Sequence, residues 1–228
     1  MEFPTTRLSL VLAASRDEVP HAKVALEELC RIYWRPLYTY VRHQGHDASA
    51  AEDLTQSFIT RLIEKDALRR FRRERGRFRS FLLVSLKNFL ANERDAEHAL
   101  KRGGGVAGLP LEQVDQARDS ITPDKLFERQ WALDLLSRAL DRVREESVSA
   151  GNAALFEALK GCLTAGAEFG NYRELGLKLE MSEAAVKVAV HRLRQRFHEA
   201  LRHEISMTVT DESAVGDEIR YLLTVLGA

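Results

Sequence analysis

The chain has 228 residues, of which 45% are apolar, 7% aromatic and 30% charged. That is enough to bury a core in one or two domains, too rich in Leu, Ala and Phe for disorder throughout, and lean for an all-β sandwich or barrel. Basic and acidic residues balance at 34 each, and two cysteines, Cys30 and Cys162, build neither a disulfide scaffold nor, by themselves, a zinc cage.

Helical periodicity dominates from the first element on. Ala22–Tyr40 carries apolar residues at helical spacing, with Pro36 expected to kink or divide it. Gly45–Ala48 reads as a turn. Ser49, with Glu52 three residues on, reads as a capping box opening a helix to about Glu64. Leu54, Phe58 and Leu62 form that helix's apolar line, which leaves Asp53, Gln56, Ser57 and Thr60 off it. Leu68–Arg77 is an arginine-rich loop. Phe78–Arg94 is the next helix, with Phe78, Phe81, Leu82, Leu86, Phe89 and Leu90 as its stripe and Asn88 and Asn92 elsewhere. Gly103-Gly104-Gly105 breaks it, and mixed polarity to Thr122 reads as a linker. Thr122-Pro123-Asp124 opens a second helical block, Lys125–Glu146, followed by a short helix over Ala153–Leu163.

Zero net charge hides unlike parts. Arg69–Arg79 holds seven arginines and one glutamate, Lys187–His203 five cations and one glutamate, and Glu204–Ala228 five acids and one arginine. Two basic segments and an acidic tail suggest polyanion contacts at two places; the plain alternative is a solvated loop and a solvated helix face. There is no apolar run of about 18 residues and no signal peptide in Met1–Ser15, so a soluble, cytoplasmic protein without membrane contact is expected. With no phosphate loop, no metal-ligand spacing and no nucleophile–base pair, neither an enzyme, a cofactor nor a metal is expected.

Asn171–Glu204 carries the strongest motif. A helix over Tyr172–Leu179, a turn at Glu180–Met181 and a longer helix capped by Ser182 make a helix-turn-helix. At 100° per residue, Val186, Val190, Leu193, Phe197 and Leu201 share one side. Lys187, Val188, His191, Arg192 and Gln195 fall on the other, spread over about 140°. That is a basic, hydrogen-bonding face on an element that fits the DNA major groove, with Arg194, Arg196 and Arg202 placed to reach phosphates. A helical hairpin with a solvated basic face is the competing reading.

Three stretches in order resemble a bacterial RNA polymerase sigma factor of the extracytoplasmic-function (ECF) group. Ala51–Glu64 (AEDLTQSFITRLIE) is similar to the region-2 helix that docks on the polymerase β′ clamp. Arg75–Asp95 (RGRFRSFLLVSLKNFLANERD) is similar to the part that melts and reads the −10 element. Tyr172–Phe197 is similar to the region-4 helix-turn-helix that reads the −35 element. FPTTRLSLVL at the start and ALKRGGG at the first block's end match a subgroup with an added C-terminal helical segment, here roughly Asp211–Leu226. The resemblance implies an all-α fold of two helical domains. Residues 1–21 are then a lead segment, 22–102 region 2, 103–122 a linker, 123–204 region 4 and 205–228 an acidic extension.

It also implies roles. Asp53, Leu54, Gln56, Ser57, Phe58 and Thr60 lie in the polymerase-binding helix, Leu54 and Phe58 mainly as packing. Arg75, Arg77, Phe78, Arg79, Asn88, Asn92 and Arg94 face the −10 element, the arginines toward backbone phosphates, with core packing the stronger role for Phe78. Phe71, in the loop, is a further stacking candidate, again with core packing the stronger role. Ser182, Lys187, Val188, His191, Arg192, Arg194 and Arg196 serve the −35 element. The implied partners are core RNA polymerase, at its β′ clamp and β flap, and promoter DNA. Ser57 stands where many ECF factors have Glu, so Ser57 and Thr60 are candidate phosphorylation switches. Ala185 and Ala189 replace a Thr and an Arg common in this helix. An anti-sigma protein, a Ser/Thr kinase or the tail are the alternatives for holding such a factor in check. The tail either masks the basic helix or binds a partner. The competing function is a regulator that binds an operator without docking on polymerase.

Overall fold

The computed structural model describes residues 20–64, 77–103, 122–164, 172–209 and 211–227, and every element among them is helical. In chain order these are α1 (Pro20–Arg42), α2 (Ala48–Glu64), α3 (Phe78–Gly103), α4 (Pro123–Ser149), α5 (Ala153–Leu159), α6 (Gly161–Thr164), α7 (Tyr172–Leu179), α8 (Glu183–Ser206) and α9 (Val215–Gly227). A short 3₁₀ turn, Glu212–Ala214, leads into α9. The all-α expectation holds.

Local chemistry sets most of the boundaries. Asp47, rather than Ser49, caps α2: its carboxylate accepts from Ala50 N at 2.8 Å and its carbonyl from Ala51 N at 3.0 Å. The chain therefore enters the helix two residues earlier than the capping-box reading places it. Thr122 caps α4 as expected, its hydroxyl accepting from Lys125 N at 3.4 Å with Pro123 at the first helical position. α1 runs unbroken through Pro36. Pro36 is buried, and α1 is held by α2 on one side and α4 on another, so packing offsets the missing hydrogen bond. The single helix expected over Ala153–Leu163 is two, interrupted at Lys160, with glycine starting the second. α3 extends beyond Arg94 and ends at the first glycine of the triplet.

α4 is the organising element. α1 lies along it in the most extensive helix pair of the structure, and α8, α9 and α5 pack on it from other sides. A helix surrounded this way needs apolar residues round much of its circumference. α4 supplies Phe127, Trp131, Ala132, Leu135, Ala139 and Val143, all at or below 1% exposure. Leu29, Ile32, Tyr33 and Leu37 of α1 meet them, while α2 and α3 close the other flank of α1 through Phe58, Phe78, Leu82, Leu86 and Phe89. Phe58 and Phe89 lie 5.6 Å apart between ring centroids, and Tyr33 meets Phe78 edge-on at 5.5 Å. Arg138 of α4 ties three helices together: its guanidinium donates to Glu28 of α1 at 2.5 Å and to Glu204 of α8 at 2.9 Å.

Candidate functional site

Three polar faces stand out from this frame. The first is on α2. The four-residue spacing of Phe58 and Leu62, together with Thr55, turns one side inward; Thr55 satisfies its buried hydroxyl on Ala51 O at 2.7 Å. The opposite side presents Glu52, Asp53, Gln56, Ser57 and Thr60, all exposed. Leu54 is half-buried and Phe58 buried, in the packing roles expected of them. Thr60 Oγ donates back to Gln56 O at 3.0 Å, an ordinary way for a helical threonine to settle its hydroxyl. Ser57 and Thr60 are thus both at the surface.

The second face runs along α3. Asn88 and Asn92 are exposed on it, beside Val84 at 57% exposure, while Arg94, also exposed, lies about 120° round the helix from Asn88. Lys87 pairs with Asp124 at the start of α4 at 2.6 Å, and that hydrogen bond raises its pKa. The N-terminal end of α3 differs from the sequence expectation. Phe78 is core, at 3% exposure. Arg79 is interior too, also at 3%. Arg79 pairs with Glu218 of α9, and its guanidinium lies between the rings of Trp131 at 4.9 Å and Tyr221 at 3.9 Å. Arg77 is exposed, yet it also reaches Glu218, at 3.0 Å. In this arrangement Phe78 and Arg79 are withheld from solvent and Arg77 is engaged. Arg75, Phe71 and most of the arginine-rich loop lie outside the described residues.

The third face is on α8, which a tight turn joins to α7. α7 and α8 form at the boundaries the periodicity predicts, and Ser182 caps α8 by accepting from Ala185 N at 3.2 Å. The turn is tight. Glu180 sits at φ 54°, and Met181 N donates to Gly176 O at 2.9 Å. A Cβ on Gly176 would come within 2.6 Å of Met181 O, so only glycine lets α7 approach the turn this closely. Val186, Val190 and Leu193 point into the core. Lys187, Val188, His191, Arg192, Gln195 and Arg196 are exposed on the other side. Lys187 pairs with Glu183 at 2.7 Å, one turn back, which holds the Glu183 carboxyl below its usual range. Arg194 is the exception. It is half-buried, and its fork donates to Cys162 O at 3.2 and 2.9 Å, closing the C-terminal end of α6. These bonds tie α8 to α6.

The acidic extension does not cover the basic face of α8. α9 packs on α4 and on α8, while Lys187, His191 and Arg192 stay exposed. Glu218, Tyr221 and Trp131 were not expected to matter to the α3 arginines. A signal existed: Val215, Glu218 and Leu222, spaced by three and four, put a carboxylate on the apolar line of α9, where all three are buried. Burial raises both thiol pKa values, with Glu27 adding to the effect at the half-buried Cys30. Neither thiol is set up as a nucleophile. No helix among the described residues is long and apolar enough to cross a membrane, and no cluster of three or more His, Cys, Asp or Glu among them could hold a metal.

Residues 29–97, from α1 to α3, match the family model of sigma-70 region 2. No curated protein and no solved structure matches the chain. The region-2 match supports a sigma-factor family.

Proposed function

We propose, with the region-2 match as premise, that the chain is an alternative sigma factor of the ECF type. It binds core RNA polymerase through α2, contacts the −10 element through α3 and the −35 element through α8, and directs promoter-specific initiation in the cytoplasm. The observation that carries this reading is the matched segment itself, whose α2 turns Asp53, Gln56, Ser57 and Thr60 to solvent while Phe58 and Leu62 anchor it. A polar helix face on a rigid apolar seat is what a protein clamp can grip without unfolding its partner. Polymerase supplies affinity that the DNA-binding faces alone need not have, which suits a chain with no net charge.

The −35 reading rests on the exposed face of α8. Lys187 and Arg192 suit guanine acceptors, and Val188, at 49% exposure, suits a thymine methyl. On this view Arg77, Asn88, Asn92 and Arg94 belong to the −10 side, and the exposed Ser57 and Thr60 are the positions where a kinase would add the charge that α2 lacks.

The direct test is capture of purified bacterial core RNA polymerase by the full chain, with Asp53→Arg alongside. The wild type is expected to hold polymerase, and the substitution to abolish capture while leaving the far-ultraviolet spectrum unchanged. Failure of the folded wild type to hold polymerase overturns the proposal.

A further inference from the structure

Glu218 pairs with Arg77, just before α3, and with Arg79, in its first turn and 139 positions away, across the boundary between the two helical blocks. Arginine guanidinium groups side by side, one of them stacked between aromatic rings, are a phosphate-binding arrangement. Here a carboxylate of the same chain fills it. We propose that α9 is an internal clamp: Glu218 occupies a site on Arg77 and Arg79 that a nucleic-acid phosphate takes when α9 lifts away. This deepens the sigma-factor reading above and rests on it for the identity of the nucleic acid.

α9 is held on the fold by a partial apolar stripe and one buried ion pair. Of its thirteen residues only Val215, Glu218 and Leu222 are buried, and Leu223 stands 61% exposed. Ile219, Tyr221, Val225 and Leu226 are half-buried and pack against the core, and the buried ion pair adds little net stability because both partners are stripped of water. Arg79 Nε is buried without a hydrogen-bond partner, beside a cavity of about 90 Å³ lined by Tyr33, Trp131, Thr208 and Glu218. Lifting α9 uncovers Arg79 and frees Arg77 together, so one movement presents two cations at the N-terminal end of α3, on the side of the helix away from Asn88 and Asn92.

The test measures binding of a fluorescent single-stranded DNA of about 20 nucleotides at several salt concentrations. Glu218→Gln keeps the side-chain shape and removes the charge. It is expected to bind about tenfold tighter than wild type, with a slope of log affinity against log salt steeper by about 1.4, two phosphates' worth. Glu212→Gln removes the same charge from an exposed residue of the extension that does not line this cavity. It should stay within about twofold of wild type. Equal affinity and slope for Glu218→Gln and wild type overturns the clamp. Hydrogen exchange on the wild-type chain keeps the question open to refutation if Glu218→Gln fails to fold. Saturating oligonucleotide should strip protection from residues 215–227, and retained protection, or no binding of the oligonucleotide at all, overturns the proposal. Polymerase capture separates the two readings. Capture with no Glu218→Gln effect keeps the sigma factor and sinks the clamp; the effect without capture does the reverse.

Discussion

At the scale of single residues, burial divides the arginines into two kinds. Arg192 and Arg196 stand exposed on α8, while Arg79 and Arg194 spend their guanidinium groups inside the fold. All four looked alike in the sequence, because charge is legible there and its partner is not. Arg192→Ala is expected to weaken promoter binding by about 1–3 kcal/mol and to relax −35 preference, read by titration against promoter and scrambled duplexes. Arg194→Ala should instead lower the melting temperature, because the Cys162 carbonyl loses its donors and the end of α6 loosens. Unchanged affinity in the first, or unchanged melting in the second, removes the assignment.

Elements were the most legible scale. Amphipathic periodicity and cap chemistry marked out α2, α3, α4, α7 and α8 before any coordinates, because both act over one or two turns. Errors came where a neighbour intervened. Asp47 displaced Ser49 as a cap, and packing on both sides carried α1 through Pro36. The helix-turn-helix turn offers a paired prediction. Gly176→Ala drives a methyl against Met181 O and is expected to cost about 1–3 kcal/mol, with loss of DNA binding. Glu180→Gly relieves a left-handed backbone and is expected to stabilise by up to about 1 kcal/mol. Thermal or denaturant melting of both variants checks the pair, and a shift of the same sign in each argues against this turn geometry.

The whole molecule is held by contacts that cross the linker. Arg138 joins Glu28, 110 positions away, to Glu204, 66 positions away, and thereby fixes α1 and α8 on α4. Arg138→Ala leaves the largely buried Glu204 carboxylate without the guanidinium that pairs with it, while Glu28 keeps Arg31, and is expected to cost about 2–4 kcal/mol. Arg138→Met with Glu204→Leu should recover much of that, measured by chemical denaturation; no recovery would show that Arg138 does not work through Glu204. The sequence by itself determined the helical class, the helix-turn-helix with its capped second helix, and the polar face of α2. Each follows from spacings within a few turns of one chain segment. The tertiary structure alone decided that α1 lies on α4, that α9 packs on both α4 and α8, and that Glu218 pairs with the exposed Arg77 and the buried Arg79. Those outcomes depend on which buried charges meet across more than a hundred residues, and a local pattern shows that a carboxylate is buried without showing what it is buried against.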